Sequence, residues 1–158
     1  MTIDDFTDTT PIFRPEEMLT GELQGWAILT GPLGGLDRRA AIRAQGTHDA
    51  ASGVIRFTET WTFDDGQVDT LAWRIHPEGQ GRYRGEEPTL DGHAKGEAAG
   101  CAFHWTYTRD VPAKDGETSR LDFDDWFFRI DETGFCVKGS AGRLGLPFAT
   151  VFVTYRKL

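Results

Sequence analysis

The sequence predicts a single all-β domain, an up-and-down antiparallel barrel of about eight to ten strands of the lipocalin-like or calycin-like kind. Its 19 glycines are spread along 158 residues rather than clustered. Between them, segments of roughly 8 to 12 residues alternate β-branched or aromatic residues with polar ones, which is typical of strands. Short connections force neighbouring strands to be antiparallel, and so many strands close more readily than they leave two exposed edges. A two-sheet sandwich is the alternative, but it needs long connections, which are scarce here.

We predict a flexible N-terminal segment at residues 1–12, followed by a barrel domain at residues 13–158. A short helical turn is predicted at Arg14–Leu19, because Pro15 suits a first helical turn and Glu16 and Glu17 favour the positive end of the helix dipole. We expect this turn to lie across one mouth of the barrel. Strands are then predicted near residues 20–30, 36–48, 53–63, 67–76, 81–87, 92–99, 101–110, 119–130, 135–142 and 148–157.

The clearest hairpin is predicted at residues 63–67, where Asp65-Gly66 supplies the positive φ angles that tight turns need. Two further turns are predicted at residues 114–117 and 131–134. In the strands that flank the first hairpin, apolar residues fall on one face, and we expect that face to point inward: Ile55, Phe57, Trp61, Phe63, Leu71, Trp73 and Ile75.

Composition argues against several functional classes. The formal net charge of -8 would repel nucleic acid and the anionic leaflet of a membrane. The two cysteines and four histidines lack metal-ligand spacing, so no metal site is expected. No phosphate-binding loop or other cofactor motif is present, so no cofactor is expected. The acidic N-terminus lacks the features of a secretion signal or lipobox, and no apolar run is long enough to span a membrane. We therefore expect a cytoplasmic protein.

Glu59 is the first candidate for a functional residue, because it shares the inward face of the strand at residues 53–63. A buried carboxylate is costly unless it is paired. It could serve as a polar anchor for a ligand or as a general acid with a raised pKa. Alternatively, Glu59 lies near a barrel end or pairs with an arginine such as Arg74.

Asp124 and Asp125 form the second candidate, because the alternation of apolar residues fails around them. Leu121 and Phe123 share one face of the strand, whereas Trp126, Phe128 and Ile130 fall on the other. A β-bulge at Asp124-Asp125 would return all five side chains to one side. One aspartate would then enter the cavity as an acceptor or base; alternatively, both cap local backbone amides.

Aromatic residues supply a candidate ligand pocket. Cys101, Phe103, Trp105 and Tyr107 fall on one face of their strand. If the lumen is open, Tyr107, Glu59 or Arg74 could contact the polar end of a ligand. If the lumen is filled, the aromatic residues form the hydrophobic core instead. The walls of the pocket would be Trp61, Trp73, Trp105 and Trp126.

The order and spacing of several short segments resemble the DUF3833 family of bacterial proteins, from about Phe13 to the C-terminus. These segments are Gly21-Glu-Leu-Gln-Gly25-Trp26, Glu59-Thr-Trp-Thr-Phe-Asp-Asp-Gly66, Trp73, Tyr83-Arg-Gly85, Gly92-His-Ala-Lys-Gly96, Gly100-Cys-Ala-Phe-His-Trp105-Thr-Tyr107 and Phe123-Asp-Asp-Trp126. The resemblance implies no established activity. Many members look like exported lipoproteins, a feature that this sequence lacks. Members are encoded beside enzymes that modify fatty acids, which implies a lipid-related role and a protein partner among such enzymes.

Three hypotheses follow from the sequence. The leading one is a non-enzymatic barrel that binds a small hydrophobic ligand, a fatty acid or lipid, and is linked to fatty-acid modification. The second is an acid/base enzyme that acts on a lipid through Glu59 and Asp124 or Asp125. The third is a filled barrel without a ligand, which serves as a scaffold for a protein partner through an exposed apolar patch.

Overall fold

A computed structural model describes residues 1–112 and 115–158, and it confirms the all-β barrel. The described residues form ten antiparallel strands, each paired with its neighbours in sequence, and the last strand closes onto the first. The strands are β1 (Gly21–Thr30), β2 (Leu36–His48), β3 (Ile55–Phe63), β4 (Val68–Gly79), β5 (Arg82–Glu86), β6 (Ala94–Ala99), β7 (Ala102–Pro112), β8 (Thr118–Arg129), β9 (Gly134–Arg143) and β10 (Leu146–Lys157). This meander excludes the two-sheet sandwich.

Period-2 patterning explains how the strands bury one face. In β2, the residues from Arg38 to Gly46 alternate strictly between buried and exposed. The hairpin predicted at residues 63–67 is confirmed, with Gly66 at φ +87° and the Phe63 amide bonded to the Gln67 carbonyl. In the turn at residues 131–134, the Asp131 carboxylate accepts two backbone N–H bonds. The turn predicted at residues 114–117 begins outside the described residues.

Strand β8 corrects one expectation, because its register contains no bulge at Asp124-Asp125. Pairing with β7 and β9 runs without a shift from Asp122 to Phe128. Phe123 and Asp125 therefore face the interior, and Trp126 and Phe128 face outward. The outward rings are covered by Phe6, whose ring centroid lies 5.8 Å from that of Trp126 and 5.4 Å from that of Phe128.

Phe6 belongs to a 3-10 turn (Ile3–Phe6) that packs against β6 and β7. Segment 1–12 thus makes packed contacts with the outside of the barrel. Whether it forms a flexible segment separate from the 13–158 domain stays a prediction.

The predicted helical turn is confirmed as α1 (Pro15–Met18), and it closes one end of the barrel. Phe13 and Met18 are fully buried, and Phe13 stacks on Phe103 of β7. Arg129 holds the segment in place by donating hydrogen bonds to the Ile12 carbonyl and the Glu17 carboxylate. The opposite end, which we call the mouth, is bordered by the connections at 31–35, 64–67, 87–93 and 144–145 and by the residues just before β8.

Candidate ligand-binding cavity

The barrel encloses a cavity of about 720 Å³ that reaches from the mouth to the floor formed by the helical turn. This volume falls within the range of small-molecule sites. Most of its lining is aromatic or aliphatic, and it includes Leu19, Leu29, Phe57, Trp61, Phe63, Leu71, Trp73, Ile75, Phe103, Trp105, Leu121, Phe123, Phe127, Val137, Val151 and Val153. The lumen is therefore open, contrary to the filled barrel that the scaffold hypothesis predicts.

Trp105 lies at the centre of one wall. Its ring centroid is 5.4 Å from that of Trp73 in an edge-to-face contact. The indole rests directly on the backbones of β5 and β6, where Cβ atoms added at Gly85 and Gly96 would approach it to 2.4 Å and 2.6 Å. Only glycine at these two positions leaves room for the ring.

Glu59 lies about halfway along β3 and points into the barrel, and only 9% of its surface is exposed. Its Oε2 accepts a hydrogen bond from the Trp73 indole at 3.2 Å, and its Oε1 accepts one from the Tyr155 hydroxyl. Burial raises the pKa of this carboxyl, although the Tyr155 and Trp73 donors act in the opposite direction. The Trp61 indole also lowers this pKa, but its N–H makes no hydrogen bond of ordinary geometry.

Asp125 lies on β8, and its carboxyl also faces the cavity. Oδ2 accepts a hydrogen bond from the Tyr107 hydroxyl at 2.9 Å, whereas Oδ1 accepts none from the described residues. The carboxyl is crowded by protein atoms, and the part of its surface that stays accessible belongs to the cavity wall. Burial raises its pKa to about 7, and the negative charge of Glu59 adds to this effect.

An ion pair between Arg109 and Asp69 lies nearer the mouth. Both terminal nitrogens of Arg109 donate to the Asp69 carboxylate at 3.0 Å, and Nε donates to the Thr89 hydroxyl at 3.0 Å. Arg109 is only 4% exposed, and the bidentate pair satisfies its charge. Arg109 was not among the predicted site residues, although it continues the inward phase of Trp105 and Tyr107.

Arg38 is the cation at the mouth itself. Its guanidinium stacks on the Phe63 ring at 3.8 Å from the ring centroid, and Nη1 lies 3.6 Å from the Asp65 carboxylate. Nε is buried without a hydrogen-bond partner of ordinary geometry, but it lies 3.9 Å from the Asp37 carboxylate. This arginine was also missed, although it shares the inward phase of Ala40 and Ile42 on β2.

The structure brings most of the predicted site residues to the cavity wall. These are Glu59, Trp61, Trp73, Trp105, Tyr107 and Asp125. Glu59 lies at mid-depth rather than at a barrel end, and its partners are not arginines. The functional roles of these residues stay predictions.

Three predicted site residues lie outside the cavity. Arg74 faces solvent on β4, because strict alternation sends it outward beside inward Trp73. Asp124 faces outward and accepts a hydrogen bond from His104 at 3.0 Å. Trp126 is buried beneath Phe6 and stacks on His104 with ring centroids 4.0 Å apart. The last two were misplaced because the predicted bulge is absent.

Within residues 1–112 and 115–158, no group of three or more histidine, cysteine or acidic side chains could hold a metal ion. Across the same residues, no helix is both long and apolar enough to cross a membrane.

The fold and the cavity define a class of protein: a lipocalin-like barrel with a lumen that is open at one end. Within that class, the chain belongs to the DUF3833 family, described as a protein of unknown function, whose family model matches residues 1–157. No curated protein matches the sequence.

Two solved structures are similar to the barrel. One is the S-type phycobiliprotein lyase CPES from Guillardia theta, with a TM-score of 0.65, 8% identity, and coverage of 100% of this chain and 93% of that one. The other is a protein of unknown function from the DUF3598 family of Nostoc punctiforme PCC 73102, with a TM-score of 0.64 and 14% identity. That alignment covers 94% of this chain but only 51% of the other, so this chain spans about half its length. At these identities, the similarity shows the fold alone.

Proposed function

We propose that this protein binds one small, largely apolar ligand in its barrel, and that the ligand is a fatty acid or another acyl lipid. The cavity of about 720 Å³, with its aromatic and aliphatic lining, is the observation that carries the proposal. Each methylene transferred from water into such a lining gains about 0.8 kcal/mol. An acyl chain therefore supplies binding energy without needing any particular polar contact.

The charges in the cavity favour entry of the acyl chain with its tail first. A fatty-acid carboxylate at mid-depth would meet Glu59 and Asp125, and like charges in a low-dielectric interior repel strongly. At the mouth it would instead meet the guanidinium of Arg38, whose Nε makes no hydrogen bond of ordinary geometry although the Asp37 and Asp65 carboxylates lie within 4 Å of the guanidinium. We therefore expect the carboxylate to lie beside Arg38 and the chain to extend down towards Trp73 and Trp105.

The structural comparison adds support of a limited kind. The lyase from Guillardia theta is named for an action on phycobiliproteins and has a barrel of the same fold. That name supports a role for this fold in handling small molecules, but it does not specify the ligand of this chain.

The proposal is tested with protein purified without detergent. Native mass spectrometry should detect a co-purified lipid, and titration with a fatty acid should quench the fluorescence of the cavity tryptophans. The variant Ala141→Phe places a ring in the cavity, because Ala141 lies on its wall. The control Ala41→Phe adds the same ring on the exposed face of β2.

Ala141→Phe should weaken fatty-acid binding at least about tenfold, the equivalent of about two methylenes of lost contact, whereas Ala41→Phe should not. Thermal unfolding of both variants shows that they fold. No co-purified lipid, together with a flat titration of the wild-type protein, would remove the proposal.

A second candidate function is acid/base catalysis on a bound lipid. The observation that favours it is the carboxyl of Asp125, which faces the cavity, has one oxygen with no donor among the described residues and has a pKa raised to about 7. Such a group exchanges protons near neutral pH. If this function operates, the wild-type protein changes the mass of the co-purified or added lipid and Asp125→Asn does not. An unchanged lipid after long incubation with the wild-type protein argues against catalysis.

A further inference from the structure

Exposed leucines border one side of the mouth. Leu33 is 100% exposed, Leu144 is 96% exposed, and Leu36 and Leu146 are more than half exposed. Leu33 lies in the β1–β2 connection and Leu144 in the β9–β10 connection. These two connections are neighbours, because β1 pairs with both β2 and β10. We call these four side chains the leucine rim.

The leucine rim continues onto the outer wall of the barrel. Ile28 of β1 and Phe152 of β10 are direct cross-strand partners, and each is at least half exposed. Trp26, which precedes Ile28 by two residues in β1 and lies further from the mouth, is 49% exposed. Single exposed apolar residues need no explanation, but several on one side of the barrel, with only the Thr30–Thr150 pair between the rim and the Ile28–Phe152 row, are typical of an interaction surface.

Cations flank this patch on both sides. Arg39 of β2 is the cross-strand partner of Ile28, and Lys138 of β9 is the partner of Phe152. One row across the barrel wall therefore reads Lys138, Phe152, Ile28, Arg39. Lys138 makes no ion pair with any described residue, and Arg39 keeps 66% of its side chain exposed beside Asp64. Because Arg39 is paired with Asp64 and the exposed Asp37 follows Leu36, Lys138 is the cation of this row that no described carboxylate neutralises, in a chain with a net charge of -8.

The backbone at Leu144 supports a role for the rim beyond folding. Its φ of +52° lies in the left-handed region, which disfavours a leucine and is adopted far more readily by glycine or asparagine. The side chain gains no burial in return, since it is almost fully exposed. The stability of the fold alone therefore does not explain a leucine at this position.

We propose that the leucine rim and the Ile28–Phe152 row dock onto the surface of a bilayer that contains anionic phospholipid, with the mouth facing the membrane. Apolar side chains at the tips of connections enter the headgroup region, and adjacent cations contact lipid phosphates. Repulsion from carboxylates more than about 8 Å from the bilayer is screened at physiological salt, so the charges beside the patch, including Lys138 and the Arg39–Asp64 pair, determine the interaction on contact.

This inference deepens the proposed function and rests on it for its purpose. If the cavity takes an acyl lipid, docking at the mouth lets the chain pass between bilayer and barrel without crossing water. The vesicle measurement itself does not depend on a ligand in the cavity.

The test is co-sedimentation with vesicles of phosphatidylcholine alone and with vesicles that contain about one quarter phosphatidylglycerol. The wild-type protein should bind the anionic vesicles, and added salt should weaken the binding. The double variant Leu33→Ser/Leu144→Ser should bind at least about tenfold more weakly. The control Ile130→Ser/Leu158→Ser removes two apolar side chains that are more than half exposed at the opposite, closed end, and it should bind like the wild type.

Ligand titration in solution separates this proposal from the proposed function. Leu33→Ser/Leu144→Ser should retain fatty-acid affinity and lose vesicle binding, whereas Ala141→Phe should lose fatty-acid affinity and retain vesicle binding. Wild-type protein that stays in the supernatant with both vesicle types overturns the proposal. So does binding that the leucine variant leaves intact, or self-association through this face without vesicle binding, which would make the face an interface between copies of the chain.

Discussion

Replacement of Asp125 by asparagine should make the protein more stable at neutral and higher pH. Burial raises the pKa of this carboxyl from 3.8 to about 7 in the folded protein. A pKa that is higher in the folded state means that the folded state holds a proton that the unfolded state has already lost. The contribution of Asp125 to stability is therefore complete below about pH 4 and is lost as the pH rises to 7. Asparagine cannot ionise and avoids this loss.

The magnitude follows from the size of the shift. One pKa unit corresponds to about 1.36 kcal/mol, so the full shift amounts to about 4 kcal/mol. Between about pH 5 and pH 8 the unfolded carboxyl stays ionised and the folded one ionises only near 7, which leaves a change of roughly 2.7 kcal/mol. Asp125 borders an open cavity, and solvent there weakens the desolvation effect, so we take about half, or roughly 1.5 kcal/mol. This corresponds to about 3–6 °C in Tm for a domain of this size.

Urea unfolding at several pH values between about 5 and 8 measures this change. The free energy of unfolding of Asp125→Asn, relative to the wild type, should rise steadily with pH over this range. The control Asp122→Asn removes an exposed carboxylate from the outer face of the same strand. It should show no such rise. A stability difference between Asp125→Asn and wild type that does not change with pH would refute the reasoning.

Three further predictions follow from the same cavity. The affinity for an uncharged fatty alcohol, measured by tryptophan quenching, should fall about tenfold between about pH 6 and pH 8, because Asp125 ionises beside the apolar chain. This fall should be absent in Asp125→Asn. Gly96→Ala should displace the Trp105 ring and lower the free energy of unfolding by about 1–3 kcal/mol. In Gly35→Ala the added Cβ meets no atom within 4 Å, so the free energy of unfolding should not fall in this way. Glu59→Gln should destabilise the protein by about 1–3 kcal/mol in urea unfolding, because one amide oxygen replaces two acceptors.

Most of the barrel could be predicted because short stretches of sequence determine where its strands and turns lie. The predicted strands and the turn at Asp65-Gly66 depend on alternation and on φ preferences, both of which short stretches of sequence encode. The inward face of β8 was predicted wrongly because aromatic side chains lie on both faces of this strand. Alternation cannot tell which of two apolar faces is inside when another segment, here the one that contains Phe6, covers the outer face.

The interior of the site was less predictable, because its contacts join residues that are far apart in the chain. Tyr155 and Glu59 are 96 positions apart, and Arg109 and Asp69 are 40 positions apart. Period-2 phase shows that a side chain points inward, but the partner that it meets across the lumen depends on strand order and on tilt. The cytoplasmic location and the link to fatty-acid modification stay predictions.

The two interior carboxyls differ in a way that separates a role in folding from a role in function. Both oxygens of Glu59 accept hydrogen bonds from Trp73 and Tyr155, so the fold fully satisfies this group. Within the part of the chain that the structure describes, one oxygen of Asp125 has no donor, and the surface that Asp125 exposes belongs to the cavity. Burial raises the pKa of both carboxyls, so they differ in the hydrogen bonds that a substitution breaks and not in the direction of their pKa shifts. Opposite signs for Glu59→Gln and Asp125→Asn at about pH 8 would therefore show that the fold requires Glu59 and does not require Asp125, which leaves Asp125 available to a ligand.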